Sequence, residues 1–379
     1  MRSVLCAILL VMLSLPAHAD EVTELPGLSR QALRLTVSIP EVGTKTLEAL
    51  VVRPDGPGPF PLVLLAHGHP RDAAQIPLDR PQLYSGAAIV FAQRGYAAVV
   101  VMRRGYGRSD GPFAETLGPC QARTYEAAVK AAAADVLGAL AVLRTEPWVD
   151  PKRMLLVGHS MGGYAGLAVA AGNPDGVLGI ISFAGAVGSP RPDFVCDIDR
   201  VIDADRKFGQ TARIPVLWIF AENDHFFGPE LARSMFAAYT ANGAPASLFL
   251  APSYGRDGHT LIWSPDGIGW WPQVAAFLSS LHLPTDIQVP LAAPARLAGP
   301  AALDDAGRRA FAGYLPSRNY EKAFATDAAG HYGMAFGART KADAELAALN
   351  FCQQTERVCT VYAVGNELAP DHDGQPGTH

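Results

Sequence analysis

The sequence predicts an α/β protein: a doubly wound, mostly parallel sheet followed by a small α+β unit. Three observations carry that expectation. First, Met154-Leu155-Leu156-Val157 runs unbroken and apolar into Gly158-His159-Ser160-Met161-Gly162, and an Ala-rich stretch follows from Tyr164 to Ala171. A strand buried on both faces that turns tightly into a helix reads this way. Second, apolar runs alternate with helical stretches as far as residue 281, the order that builds a parallel sheet with helices on both faces. Third, the composition breaks after Leu283 to Pro284, Pro290, Pro294 and Pro300 among Ala, Leu and Val, which reads as an extended linker.

Taken in order, residues 1–19 read as an export signal. Arg2 supplies the positive start, Val4 to Leu15 the apolar core and Ala17-His18-Ala19 the cleavage site. The run is too short to span a membrane and no comparable run follows, so the mature chain is expected in the periplasm or outside a bacterial cell. Leu33 to Ile39 and Leu47 to Val52 read as an antiparallel pair, and Pro61 to Ala66 as the first parallel strand. Next come a helix over Ala87–Arg94, a strand over Ala97–Met102 and a long helix over Tyr125–Leu143. After the central strand and its helix, strands are expected at Val177–Phe183, Pro215–Phe220 and Ala246–Leu250, with helices at Pro229–Tyr239 and Trp270–Leu281. The stretch between Phe183 and Pro215 reads as a modest cap with one short helix. The expected domains are 20–283 for the main unit, 284–317 for the linker and 318–368 for the small unit, with 369–379 a disordered tail.

A chain of 379 residues with 49% hydrophobic and 18% charged residues has the makings of a well-buried core. Its formal charge of -5, which becomes more negative by one when Arg2 leaves with the signal, supplies no general basic surface for nucleic acid or anionic lipid. Setting aside Cys6 in the signal, four of the five cysteines remain, and four allow three pairings. Cys352–Cys359, close in sequence, and Cys120–Cys196, both on loops of the main unit, are the expected pairs.

The stretch around Ser160 is a G-x-S-x-G turn. Ser160 is expected at its apex in a strained conformation that exposes the hydroxyl, with Gly158 and Gly162 letting strand and helix approach. The free N–H groups of the helix start face the place where an oxyanion forms. After the first parallel strand comes His67-Gly68-His69-Pro70, so the oxyanion donors are assigned to the main chain of His69 and Met161. His67 and His69 lack a third ligand at suitable spacing, and neither a metal nor an organic cofactor is expected. Asp224, after the strand ending at Phe220, is the expected acid, with Glu222 as the competing carboxylate. His259 follows the last strand, completing the order Ser160, Asp224, His259. Of the ten histidines, His225 and His282 fit less well, and His159 is expected to point away from the hydroxyl. Phe226 and Trp263 flank the acid and base and are expected in an aromatic pocket.

Residues 30–283 resemble an α/β-hydrolase, closest to secreted dienelactone-hydrolase-like and serine-peptidase-like members. The matching residues are His67 to Pro70, Arg103 to Gly111, Gly158 to Gly163, Asp224 and His259. Dienelactone hydrolases proper carry Cys as nucleophile where this chain has Ser160, which favours a general esterase. The resemblance implies an acyl-enzyme on Ser160, with peptide or amide hydrolysis as the runner-up and a non-catalytic secreted binding protein as the third reading. In the small unit, a hairpin across Asp327 to Gly330, a helix over Ala342–Gln353 and a strand over Cys359–Val364 resemble a repeat of unknown function in bacterial exported proteins. It carries no catalytic constellation and reads as a binding appendage for an unidentified partner or as a packing element.

Overall fold

The structure is a computed structural model and describes residues 22–353 and 358–370. The expected export signal lies outside the described residues, as do residues 371–379 of the expected tail; its first residue, Ala369, is instead buried, and its amide donates to the Tyr362 carbonyl at 2.9 Å. No described helix is long and apolar enough to cross a membrane.

Eight strands form one sheet: β1 (Leu28–Ile39), β2 (Gly43–Pro54), β3 (Phe60–Ala66), β4 (Ala97–Val101), β5 (Val149–His159), β6 (Val177–Phe183), β7 (Val216–Ala221) and β8 (Ala246–Ala251). Their order across the sheet is β1-β2-β4-β3-β5-β6-β7-β8. β1 and β2 are antiparallel, β2 meets β4 antiparallel, and every pair from β4 to β8 is parallel. This is the α/β-hydrolase arrangement that the sequence predicts. The apolar runs are continuous because both faces are covered. Leu62, Leu64 and Ala66 of β3 pack on the side of α2 (Tyr125–Leu143) and α3 (Met161–Gly172), whereas Val63 and Leu65 face α1 (Ser85–Ala92) and α6 (Trp271–Ser280). Alternation along a strand thus feeds two cores.

The segment between β6 and β7 holds α4 (Ile198–Thr211), a helix of 14 residues and longer than the short one expected. It packs on α3 and on α5 (Pro229–Thr240) through Val201, Ala204 and Phe208. The disulfide Cys120–Cys196 ties this segment to the loop before α2, and Cys352–Cys359 closes the small unit. Both are the expected pairs.

The Pro-rich stretch differs from a bare linker, because α7 (Asp305–Tyr314) forms within it, capped by the Asp304 carboxylate on the Gly307 amide. Leu303, Phe311 and Tyr314 then join Phe324 and Ala363 in a core of their own. Pro284, Pro290, Pro294 and Pro300 precede the helix and Pro316 follows it, so no proline falls inside it. The small sheet runs β10 (Tyr332–Ala335), β9 (Ala323–Thr326), β11 (Thr360–Val364), β12 (Glu367–Leu368). The helix α8 (Lys341–Cys352) covers its other face with alanines and the disulfide.

This unit is fastened to the main domain by buried charge. Arg30 on β1 makes a two-pronged ion pair with Glu321, at 3.0 and 2.9 Å, and both side chains are 1% exposed or less. Burial by itself would raise the Glu321 pKa, but the Arg30 hydrogen bonds and charge, with the Thr23 amide, outweigh it and hold the carboxyl below its ordinary value. A depressed carboxyl contributes stability that is present above the unfolded value near 4.5 and lost as pH falls through the folded one. Thermal melts should therefore show this part of the stability fading in acid, with Glu321→Gln lacking the acid-sensitive component. Arg30→Met, which strands the buried carboxylate, should cost about 3–5 kcal/mol in denaturant unfolding.

Candidate active site

The turn between β5 and α3 is too tight for side chains. A Cβ on Gly158 would lie 2.2 Å from the Gly162 carbonyl oxygen, and one on Gly162 would lie 2.2 Å from the Ala66 carbonyl oxygen. Ser160 sits at the apex with φ 54° and ψ -120°, a strained conformation for a residue with a side chain. Its amide donates to the Phe183 carbonyl at 2.8 Å, so neighbouring β6 holds the strained residue in place.

The structure brings Asp224 and His259 together. Nδ1 of His259 donates to Oδ2 of Asp224 at 3.1 Å, and Oδ1 of Asp224 accepts from the amides of Phe226 and Phe227 at 2.7 and 2.9 Å. Asp257 accepts from the His259 and His225 amides, both at 3.0 Å, and so fastens the two loops to each other. Glu222, the competing carboxylate, is exposed. His225 pairs at the surface with Asp193 at 2.8 Å, and His282 is exposed beyond α6. The Ser160 hydroxyl and Nε2 of His259 are uncommitted among the described residues. A nucleophile–base contact commonly tightens only when substrate is bound.

The two assigned oxyanion donors are uncommitted as well: among the described residues no hydrogen bond engages the main-chain N–H of His69 or Met161. Met161 is the first residue of α3, where the amide has no intrahelical partner. His69 is oriented from behind. The Gly68 carbonyl, in the same peptide plane, accepts from Nδ1 of His67 at 2.7 Å and Nη2 of Arg103 at 3.2 Å. In a trans peptide the N–H points opposite to the C=O, so these bonds turn the His69 N–H away from Arg103. Arg103 is 1% exposed, pairs with Glu115 and donates to the His67 carbonyl at 2.6 Å, a structural part for the Arg103 to Gly111 loop. Nε2 of His67 accepts the Arg103 amide at 3.0 Å. Burial, then the Arg103 charge, pushes its pKa well down, so the ring is neutral. His67 is thus spent on the backbone, and no metal-holding cluster occurs among the described residues.

Phe226 lies flat on the His259 ring, centroids 3.9 Å apart at 13°, and the Arg71 guanidinium stacks on its other face at 3.3 Å. A cleft of about 160 Å³ opens beside Ser160, walled by His69, Arg71, Leu117, Arg123 and Phe226. Trp263 departs from the expected pocket. It is 43% exposed and packs edge-on against Tyr84 and His159, at 5.8 and 5.2 Å between centroids, outside that cleft. The physical reason is that the 3-10 turn Gly258–Trp263 carries His259 inward and sends Trp263 to the outer side of the loop.

Sequence reasoning missed Arg71, Arg123 and Tyr84. Arg71 follows the His69 loop by two positions, a usable signal, whereas Arg123 and Tyr84 are brought in by packing alone. The His159 ring is built in: burial, then the His259 charge, pushes its pKa well down, and its two nitrogens are hydrogen-bonded to the Tyr84 hydroxyl and the His259 carbonyl.

Residues 62–203 match the family model described as serine aminopeptidase, S33; the match includes His69 and Ser160 and ends before Asp224 and His259. Among curated proteins no relative matches. Among solved structures the chain is similar to acetyl xylan esterase 1 from Thermoanaerobacterium sp. JW/SL YS485, at 18% identity over 62% of this chain and 81% of that one, TM-score 0.45. It is also similar to an esterase of Pyrococcus furiosus, at 15% identity over 67% and 92%, TM-score 0.46. A third similar structure is dipeptidyl peptidase 4 of Porphyromonas gingivalis, at 16% identity over 67% of this chain and 35% of that one, TM-score 0.45.

The close contacts at the turn make a sharp test. Gly162→Ala should abolish soluble expression or lower the melting temperature steeply. Gly172→Ala, at the end of the same helix with nothing within 4 Å, should be neutral or stabilising by up to about 1 kcal/mol.

Proposed function

We propose that this α/β-hydrolase-fold chain is an exported serine hydrolase that cleaves carboxylic esters through an acyl-enzyme on Ser160. One observation carries the reading. A strained serine at a strand-to-helix turn shares its end of the sheet with a buried Asp224–His259 pair, and the main-chain N–H groups of His69 and Met161 have no hydrogen-bond partner among the described residues.

In this reading the Ser160 oxygen attacks the ester carbonyl carbon while Nε2 of His259 takes its proton. The Asp224 carboxylate keeps the proton of His259 on Nδ1 and stabilises the imidazolium that forms. The oxyanion accepts from the His69 and Met161 amides, each contributing roughly 3 kcal/mol of barrier lowering. The carbon–oxygen bond to the alcohol breaks and His259 returns the proton to the departing oxygen. Water, deprotonated by the same histidine, then attacks the acyl-enzyme and releases the acid and free Ser160. No step calls on a metal or cofactor.

Esters are favoured over peptides with a free amino terminus because the cleft wall carries Arg71 and Arg123 and no carboxylate. A substrate ammonium group would meet like charge there. Export is supported by the Arg2 to Ala19 pattern and by two disulfides, which persist outside a reducing cytosol.

A fluorophosphonate probe should label the wild type and neither Ser160→Ala nor His259→Ala, with all three folded by circular dichroism. An unlabelled, folded wild type would remove the hydrolase reading. Asp224→Asn should lower kcat/KM for p-nitrophenyl acetate by about 10³–10⁴-fold. An ester with a terminal carboxylate should be preferred about tenfold over a neutral ester of equal length, and Arg71→Gln should erase the difference. Faster turnover of aminoacyl amides than of short esters would favour the peptidase instead.

A further inference from the structure

The small C-terminal unit grips one short stretch of the main domain, residues 79–86, from several directions. Arg80 donates to the Phe336 carbonyl at 3.2 Å and to the Gly337 carbonyl. Arg339 donates to the Asp79 carbonyl at 3.1 Å and pairs with Glu48 at 2.8 Å. Gly337, at φ +58°, lies so close to this stretch that a Cβ would come within 2.8 Å of the Gln82 carbonyl oxygen and the Leu83 Cα. Oδ1 of Asn319 accepts from the Ser85 hydroxyl at 2.8 Å and from the Gly86 amide at 3.1 Å.

In the middle of the gripped stretch, on the 3-10 turn Pro81–Tyr84, the 4% exposed Tyr84 reaches into the candidate active site. Its hydroxyl accepts the Gly68 N–H at 2.9 Å and contacts Nδ1 of His159 at 2.9 Å, and Nε2 of His159 contacts the His259 carbonyl at 2.9 Å. The direction of each bond follows from chemistry. A carbonyl only accepts, so Nε2 of His159 carries the proton. The neutral ring then accepts at Nδ1, so Tyr84 donates. One phenol hydroxyl therefore fastens three parts of the site: the loop of the oxyanion donor His69, the residue beside Ser160, and the backbone of the base His259.

We propose that the C-terminal unit is a positioning element for the hydrolase site, acting through the Asn319- and Gly337-held turn that sets the Tyr84 hydroxyl between Gly68 and His159. The proposal rests on the roles given to Ser160, His69 and His259 above. It assigns the unit a role within this chain, distinct from the capture of a separate partner. Tyr84 and Asn319 are positioning residues, since neither reaches the reacting atoms.

The test uses the full mature chain with p-nitrophenyl acetate, recording kcat, KM, the rate of fluorophosphonate labelling and the melting temperature. Tyr84→Phe, which removes one oxygen, should lower kcat and the labelling rate about 10–100-fold, the range for loss of a supporting hydrogen bond at a reactive site, with KM changed less than about threefold. Asn319→Ala should lower kcat in the same direction, and Asn319→Asp, which keeps the acceptor, should restore it. In the double variant Tyr84→Phe with Asn319→Ala, the Asn319 effect should largely vanish, because both act through one hydroxyl. Leu346→Ser, on the exposed face of α8, is the control and should match the wild type. Wild-type kcat in Tyr84→Phe would overturn the proposal, as would Tyr84 and Asn319 effects that simply multiply. A kcat loss that follows the melting temperature alone would overturn it as well. A wild type that is not labelled at all would instead overturn the hydrolase reading, so the two failures are distinguishable.

Discussion

At the end of β5 the chain reverses into α3 with carbonyl oxygens standing where a Cβ would be, first between Gly158 and Gly162 and then between Gly162 and the end of β3. That approach locks three elements together at one point. It forces Ser160 into a positive φ, aims the first amides of α3 at the same space as its side chain, and sets the His67–Pro70 loop directly over the turn. Strain of this kind persists only when surrounding structure over-determines it. The eight-stranded sheet, buried on both faces, provides that, because β5 lies near its centre with parallel neighbours on either side.

Around this point the polar groups are spent in a definite division of labour. Arg103, Glu115 and His67 are consumed in holding the Gly68 carbonyl and the loop behind it. Asp224 divides its two oxygens between a ring nitrogen and two amides, so the imidazole and the loop that carries Phe226 are set by one carboxylate. Among the described residues the Ser160 hydroxyl, Nε2 of His259 and the main-chain N–H groups of His69 and Met161 carry no hydrogen bond, so each is free to answer a substrate.

The C-terminal unit fits the same pattern from outside. Its core is thin, largely alanine and a disulfide on one side and a few aromatics on the other. Its contacts with the main domain are charged and well buried, above all Arg30–Glu321. A small unit with so little core gains by docking, and its docking surface includes the turn that carries Tyr84.

Much of the fold was legible in the sequence, because strands buried on both faces leave unbroken apolar runs and each helix lies between them. The candidate triad was legible for a related reason: Ser160, Asp224 and His259 each follow a strand of the parallel sheet, and the carboxyl ends of such strands share one rim. The same logic hid the rest. Tyr84 sits on a short 3-10 turn with no periodicity, and its use depends on Gly337 and Asn319, more than 230 positions away. Arg123 enters the cleft wall on a loop tied by Cys120–Cys196 to the segment after β6. Trp263, four positions after His259, faces the other way because the tight turn around His259 divides the two. Local pattern and backbone sterics were enough to read the sheet, the strained turn and the order of the candidate residues Ser160, Asp224 and His259. Which side chains wall the cleft, and what steadies it, follows from contacts between segments that no local pattern relates.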